Sequence, residues 1–340
     1  MSQVRRLHTC LLLPAACCLW LASADRAAAQ GYDDTFEMKS KLKVELQYTD
    51  YGEYEYPEPI LFSYGGSPYT QNDPYIVNFP EKRYLLKYSH LVGPESQLGI
   101  RFQFSDIKAD CDQYFLEGKI TQTLGEATTG FLSAMVLYDT REYSSVQGGV
   151  GAMWEPTPMT SLQGDVQYYY RGSEATAVGG KMGTLNLRTK IRQVLTLSTA
   201  IQGEYTYYNA DGDAVSFTSH TAAVWLSQFL PTQTAVHALL RYYTNSLGIR
   251  SFSPSLEVAQ ILGWSTTVWL KFRYYTNESD NVSFGEVGVI VPDGLISRTY
   301  TIQVNQDVTS DVLVYGKYRY YDSSLSVAMN TYMLGVVYAF

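Results

Sequence analysis

Five stretches of this chain align without a gap, each running from a polar or aromatic residue to a Tyr-Tyr pair fourteen and fifteen positions later. They start at Trp154, Gln193, Gln228, Gln260 and Gln306, and they end at Tyr168-Tyr169, Tyr207-Tyr208, Tyr242-Tyr243, Tyr274-Tyr275 and Tyr320-Tyr321. Offset eight holds Leu162, Ile201, Val236, Val268 and Val314, and offset twelve holds Val166, Tyr205, Leu240, Phe272 and Tyr318. Offsets nine, eleven and thirteen are mostly polar, with Gln163, Asp165 and Gln167 in the first copy and Gln202, Glu204 and Thr206 in the second. A period of two sends alternate side chains to opposite faces of an extended strand. One strand type therefore recurs along the chain. A water-soluble sandwich alternates in the same way, so the two ends of the chain decide what the apolar face meets.

At the N-terminus Arg5 and Arg6 precede an apolar run from Leu11 to Leu21, and Ala27-Ala28-Ala29 follows it. This is the pattern of a cleaved signal peptide covering residues 1–29. The run falls short of the roughly 20 apolar residues that a spanning helix requires. At the other end Phe340 is preceded at every second position by Tyr338, Val336, Leu334 and Tyr332. These last nine residues resemble the C-terminal signature of bacterial outer-membrane β-barrels, which the barrel assembly machinery recognises. The resemblance implies an all-β fold, a single antiparallel up-and-down transmembrane barrel over residues 30–340, with the outer-membrane bilayer around it.

Alternation between the repeats supplies the returning strands. The expected spans are 38–48, 81–92, 97–108, 113–122, 130–140, 145–155, 160–171, 181–192, 196–208, 214–228, 234–244, 251–262, 264–276, 296–307, 312–322 and 326–340. That is about sixteen strands, within a range of 14–18, and an even number returns both termini to the periplasmic side. Short connections such as 230–233, 262–263 and 309–311 suit periplasmic turns. The segments after the Tyr pairs, 172–180, 209–213, 245–250 and 277–295, would face outside. The longest connection is the first, 49–80, which carries Asp50, Glu53, Glu55, Glu58 and Asp73 with no Lys or Arg. Its prolines and glycines exclude a regular element over most of its length. A loop so long is usually functional or disordered, and this one would fold over the mouth or into it.

Composition agrees. The mean hydropathy of −0.15 is what lipid-facing and lumen-facing residues produce when they alternate. Thirty tyrosines suit the two interfaces of a membrane barrel. The formal charge of −8 argues against a nucleic-acid partner. Of the four cysteines only Cys111 lies outside the signal segment, which excludes an intramolecular disulfide or a cysteine metal cluster.

Parity within the repeats gives the candidate site. Arg188, Lys190, Arg241, Lys271, Arg273, Lys317 and Arg319 point inward and make a basic C-terminal wall. Opposite an acidic first loop, this wall resembles the crossed field of general diffusion porins, whose constricting loop is however the third outer one. Such a field orients dipolar solutes and sets ion preference. The same cations also suit pairing with the inward acids Asp165, Glu204 and Glu257. Tyr169, Tyr208, Tyr243, Tyr275 and Tyr321 are the lumen-facing members of the Tyr pairs. They would offer stacking faces for sugar rings, or serve only as tyrosines suited to strands and wet interfaces.

An enzyme needs a nucleophile beside a base. Ser219 and His220 are adjacent on a strand and so face opposite ways. His237 is inward with no evident acid partner. No enzyme, metal site or cofactor is expected. Asp211-Gly212-Asp213 reads as a turn before it reads as a calcium site.

Three functions suit this reading: a porin-like channel for small hydrophilic solutes, an exopolysaccharide export barrel with periplasmic partners, and a closed structural or adhesive barrel. A homotrimer is compatible with the first. Heating the purified protein before electrophoresis should shift its migration, as unfolding a barrel does, and a band that does not shift would exclude the architecture.

Overall fold

A structure in lipid must satisfy its backbone hydrogen bonds internally, and a sheet does so only when it closes on itself. The computed structural model is such a closed sheet. It describes residues 38–50, 80–107, 111–140, 143–173, 181–212, 216–279, 294–324 and 328–340, with short strand pairs inside two outer connections. The strands are β1 (Lys41–Asp50), β2 (Glu81–Gly93), β3 (Ser96–Ile107), β4 (Cys111–Gly125), β5 (Thr128–Asp139), β6 (Tyr143–Thr157), β7 (Thr160–Ser173) and β8 (Met182–Thr196). They continue as β9 (Thr199–Gly212), β10 (Phe217–Leu230), β11 (Thr234–Asn245), β12 (Arg250–Leu262), β13 (Thr266–Glu278), β14 (Ile296–Asp307), β15 (Val312–Ser323) and β16 (Ala328–Ala339). Each pairs antiparallel with its sequence neighbours, and β1 pairs with β16 to complete the ring. All sixteen expected strands are present. Several run further than their alternation suggested, and β9 extends through Gly212, so 209–212 is strand where a loop was expected.

The outer face is apolar. Leu132, Val136 and Tyr138 on β5, Val146 and Val150 on β6, and Leu240 and Tyr242 on β11 are all exposed there. Aromatic residues stand directly opposite one another along Tyr84, Phe104, Tyr114 and Tyr138, across four adjacent strands. Their ring centroids are 5.9, 5.2 and 6.5 Å apart in that order. Phe272, Tyr300 and Tyr320 continue the same belt elsewhere on the ring, 5.2 and 6.3 Å apart. These are the amphipathic rings of a membrane interface.

The residue that opens four of the five repeats has a definite task. Gln193, Gln228, Gln260 and Gln306 each accept a hydrogen bond from the threonine that begins the preceding strand, namely Thr160, Thr199, Thr234 and Thr266, at 2.8, 2.7, 2.6 and 2.6 Å. Each glutamine amide also donates to the carbonyl of the next residue in the chain. Ser96 and Gln122 repeat the arrangement between β3 and β4. These clasps lie beside the periplasmic turns, so Gln marks one edge of the apolar band and Tyr-Tyr marks the other.

The seam where β16 meets β1 has its own fastening. Phe340 donates its backbone N–H to Ser40 at 3.1 Å, and its ring stacks with Tyr338, His90 and Tyr88. Tyr332, Leu334, Val336, Tyr338 and Phe340 all lie on the outer face, as their spacing implied. Inside the seam, Tyr315 on β15 lies across Gly335 on β16 and donates its hydroxyl to Glu45 on β1. A side chain at 335 would occupy the space of the Tyr315 ring.

The first outer connection carries short strand pairs, where proline and glycine were expected to exclude a regular element over most of its length. Tyr54–Glu55 pairs with Ile76–Val77, and Leu61–Tyr64 pairs with Ser67–Thr70. Tyrosine, isoleucine and valine favour strands and outweigh Pro68, which occupies a short two-stranded ladder rather than a central strand. Residues 1–29 of the expected signal peptide lie outside the described residues.

Gly335→Ala should weaken the seam by about 1–3 kcal/mol, because overpacking displaces the Tyr315 ring. The measurement is the temperature of the heat-dependent gel transition, which should fall, whereas Gly316→Ala, with open space around it, should leave it nearly unchanged.

Candidate functional site

Since the lipid face takes the apolar half of each strand, charge must go inside. All seven cations of the expected basic wall lie on lumen-facing positions. The N-terminal strands add more, among them Lys43 on β1, Lys87 on β2, Arg101 on β3 and Lys119 on β4. Lys43, Lys87 and Arg101 are direct cross-strand neighbours. Like charges placed opposite one another destabilise a sheet. The basic lining is therefore not confined to the C-terminal wall. The five-copy repeat does not include β1 to β4, and the same two-residue parity applied to them would have found these residues.

Carboxylates offset part of this charge. Among the described side chains above the periplasmic rim, the inward carboxylates are Glu45, Glu81, Glu117, Asp165, Glu204 and Glu257. Each has a cation within 4 Å. Lys43 and Glu45 are 3.0 Å apart, Arg83 and Glu81 2.7 Å, Arg101 and Glu117 3.9 Å. Arg188 and Asp165 are 2.8 Å apart, Lys190 and Glu204 3.7 Å, Lys271 and Glu257 3.1 Å. Three cations of the expected wall, Arg188, Lys190 and Lys271, are thus paired with the three acids that their positions suggested. Arg241, Arg273, Lys317 and Arg319 have no carboxylate within ion-pair distance among the described residues.

Two cavities lined by described residues open on the lumen. One, of about 860 Å³, is lined by Arg83, Lys271, Arg273, Lys317 and Arg319 together with Tyr275 and Tyr321. The other, of about 500 Å³, is lined by Lys43, Lys87, Arg101, Lys119 and Arg188 with Glu45 and Glu117. Tyr275 and Tyr321 are the two lumen-facing mouth tyrosines that share a cavity with cations. Tyr208 packs on Phe217 at 5.7 Å, Tyr243 accepts a hydrogen bond from Asn245 at 3.2 Å, and Tyr169 stands between Gln147 and Thr184. The five expected aromatics share the lumen face of the sheet.

Of the acids expected in a constricting loop, Asp50 is the last residue of β1 and Glu55 belongs to a two-residue strand. Glu53, Glu58 and Asp73 lie outside the described residues, as does Asp213 of the Asp-Gly-Asp turn. Asp211 accepts a hydrogen bond from Ser216 at 2.7 Å.

The histidines differ from expectation in one respect. Ser219 and His220 do face opposite sides, and His220 instead meets Tyr205 at 2.7 Å. His237, expected to lack an acid, stands directly between Ser227 and Glu257 in the strand pairing. The register across β10, β11 and β12 makes this neighbourhood, which no spacing along the chain reveals. Ser227 Oγ is 2.8 Å from His237 Nδ1, while Glu257 lies against Lys271 and His237 Nε2 is buried without a partner.

A closed ring of sixteen strands, apolar and aromatic outside and charged inside, is a transmembrane β-barrel of the bacterial outer-membrane class. No family model matches the chain, and no curated protein matches it. Solved structures share the fold. A bacterial polysaccharide outer membrane secretin superposes with a TM-score of 0.57 at 7% identity, covering 88% of this chain and 98% of that one. OprB of Pseudomonas putida gives 0.51 at 8% identity, covering 88% and 94%. OpdL of Pseudomonas aeruginosa gives 0.50 at 8% identity, covering 89% and 99%.

Removing the acid of the most enclosed lumen pair tests whether these pairs matter to the wall. Asp165, whose side chain is 1% exposed, leaves Arg188 without its carboxylate when replaced by Asn. Asp165→Asn should cost ~1–3 kcal/mol, the penalty for stranding a buried donor. Urea unfolding in detergent should show it as a lower midpoint.

Proposed function

We propose that this barrel is a water-filled outer-membrane channel through which small hydrophilic solutes pass by diffusion, with no chemical step. The observation that carries the reading is the charge left over in the lumen. Among the described residues, after the inward carboxylates above the periplasmic rim have their cations, Arg241, Arg273, Lys317 and Arg319 still face the interior, three of them on the 860 Å³ cavity. A barrel of this strand number is wide enough to hold water, and a wall used only for packing would be filled by neutral side chains. The fold shared with OprB and OpdL is compatible with this reading.

A second reading is export of a polysaccharide with periplasmic partners. It is favoured by Tyr275 and Tyr321 standing beside Arg273 and Arg319, since a flat aromatic face next to a cation suits an acidic sugar ring. The structural likeness to a polysaccharide secretin accords with it. Both readings require the barrel assembly machinery for insertion, and a homotrimer is compatible with the first.

Single-channel recording in a planar bilayer tests the main reading. The protein should conduct and prefer anions. Replacing Lys271, Arg273, Lys317 and Arg319 together with Glu should move the zero-current potential in a salt gradient toward cations. A silent bilayer would refute the channel, and unchanged selectivity would show that the leftover cations are not on its path.

A further inference from the structure

We propose that Arg273, Lys317 and Arg319 form a built binding site for oxyanion groups, carboxylate or phosphate, on the lumen wall, and that Pro254 and Ser253 position its fixed arginine. The proposal deepens the channel reading by naming a class of solute.

A proline stands in the interior of β12, where it has no N–H to give the ladder. On the side facing β11 the pairing is continuous, with Leu240 opposite Pro254. On the side facing β13 it stops after Phe252 and Thr276 and resumes at Ser255 and Arg273 in the same register. A gap of that form is what the loss of one hydrogen bond to the Tyr274 carbonyl produces. In a membrane-spanning sheet no water replaces the missing donor.

Ser253 fills the vacancy. Its hydroxyl donates to the Tyr274 carbonyl at 3.1 Å and, through its lone pairs, accepts from Arg273 Nε at 2.7 Å. Ser253 is only 3% exposed, so this relay is enclosed. The relay ties Arg273 by Nε, the nitrogen nearest its stem, and leaves the two terminal nitrogens of the guanidinium for another partner. A fork held in this way is suited to a planar or tetrahedral oxyanion.

The surroundings supply the rest. Arg273, Lys317 and Arg319 share the 860 Å³ cavity, and β14 between them contributes only Ser297, Thr299 and Thr301, short side chains that leave the space open. The described carboxylates around the site are engaged, Glu81 by Arg83, Glu257 by Lys271, and Glu45 by Lys43 and Tyr315. No described carboxylate lies within ion-pair distance of Arg273, Lys317 or Arg319, and the completing anion is taken from solution.

The test is isothermal titration of the full-length protein, folded in detergent at low salt, with citrate and with inorganic phosphate in separate arms. Saturable binding is expected in at least one arm. Citrate alone would identify carboxylates as the class, phosphate alone phosphates, and no binding in either arm would overturn the site. Arg273→Gln and Arg319→Gln should each lower affinity about tenfold.

Ser253→Thr keeps the hydroxyl and should bind like the parent. The double variant Ser253→Ala with Pro254→Val returns a backbone N–H to the Tyr274 carbonyl, so the barrel folds, yet it lacks the relay and should bind several-fold more weakly. If that double variant binds like the parent while Arg273→Gln does not, the positioning assignment is wrong. Bilayer recording on the same preparations separates the two readings. Conductance without anion binding would sink this inference alone, and anion binding without conductance would sink the channel alone.

Discussion

The hydrogen-bond ladder is the constraint on which the rest of the barrel depends. In hydrocarbon an unpaired backbone N–H or C=O costs several kcal/mol, so the sheet must close and its ring must have no free edge. Closure obliges β16 to find β1 across the full length of the chain, and the seam carries fastenings of its own. The Phe340 ring packs outside it, and Tyr315 reaches over Gly335 to Glu45 inside it. The interruption at Pro254 is tolerated because a side-chain hydroxyl takes over the lost bond.

Once the sheet is closed, the distribution of charge follows from what each face touches. The outer half of each strand must be apolar, so lysines and arginines placed in the strands are mostly directed to the lumen, while the acidic excess of the whole chain lies largely elsewhere. Among the described residues, the lumen carboxylates above the periplasmic rim are each matched to a cation. An acidic protein thereby encloses a basic interior, and a formal charge of −8 says little about what the interior would attract.

The fold was legible because period-two alternation, Tyr-Tyr ends and a C-terminal aromatic all reflect local geometry along one strand. The inward positions of Arg188, Lys271 and Arg319 followed from the same parity. What could not be read is what depends on register between strands. Glu257 is twenty residues from His237 in sequence yet directly opposite it in the sheet, and the Thr–Gln clasps join strands through partners 26 to 40 residues apart. The repeat showed that Gln opens four of the five copies without showing what it holds. The basic residues of β1 to β4 were missed for a plainer reason, since those strands lack the Tyr-Tyr ending that drew attention to the others.

The relay at β12 joins two positions that would otherwise vary separately. A proline at 254 is compatible with the membrane only while residue 253 keeps a hydroxyl, and residue 253 is free to lose its hydroxyl only once 254 regains an N–H. Ser253 and Pro254 therefore form a single inherited unit. A drift at one must be answered at the other, and each order of change passes through a different intermediate. Losing the serine first exposes a carbonyl in the ladder, whereas losing the proline first repairs the ladder and releases Arg273. The history of this dipeptide across related barrels would record whether integrity of the wall or the setting of its arginine was the stronger demand.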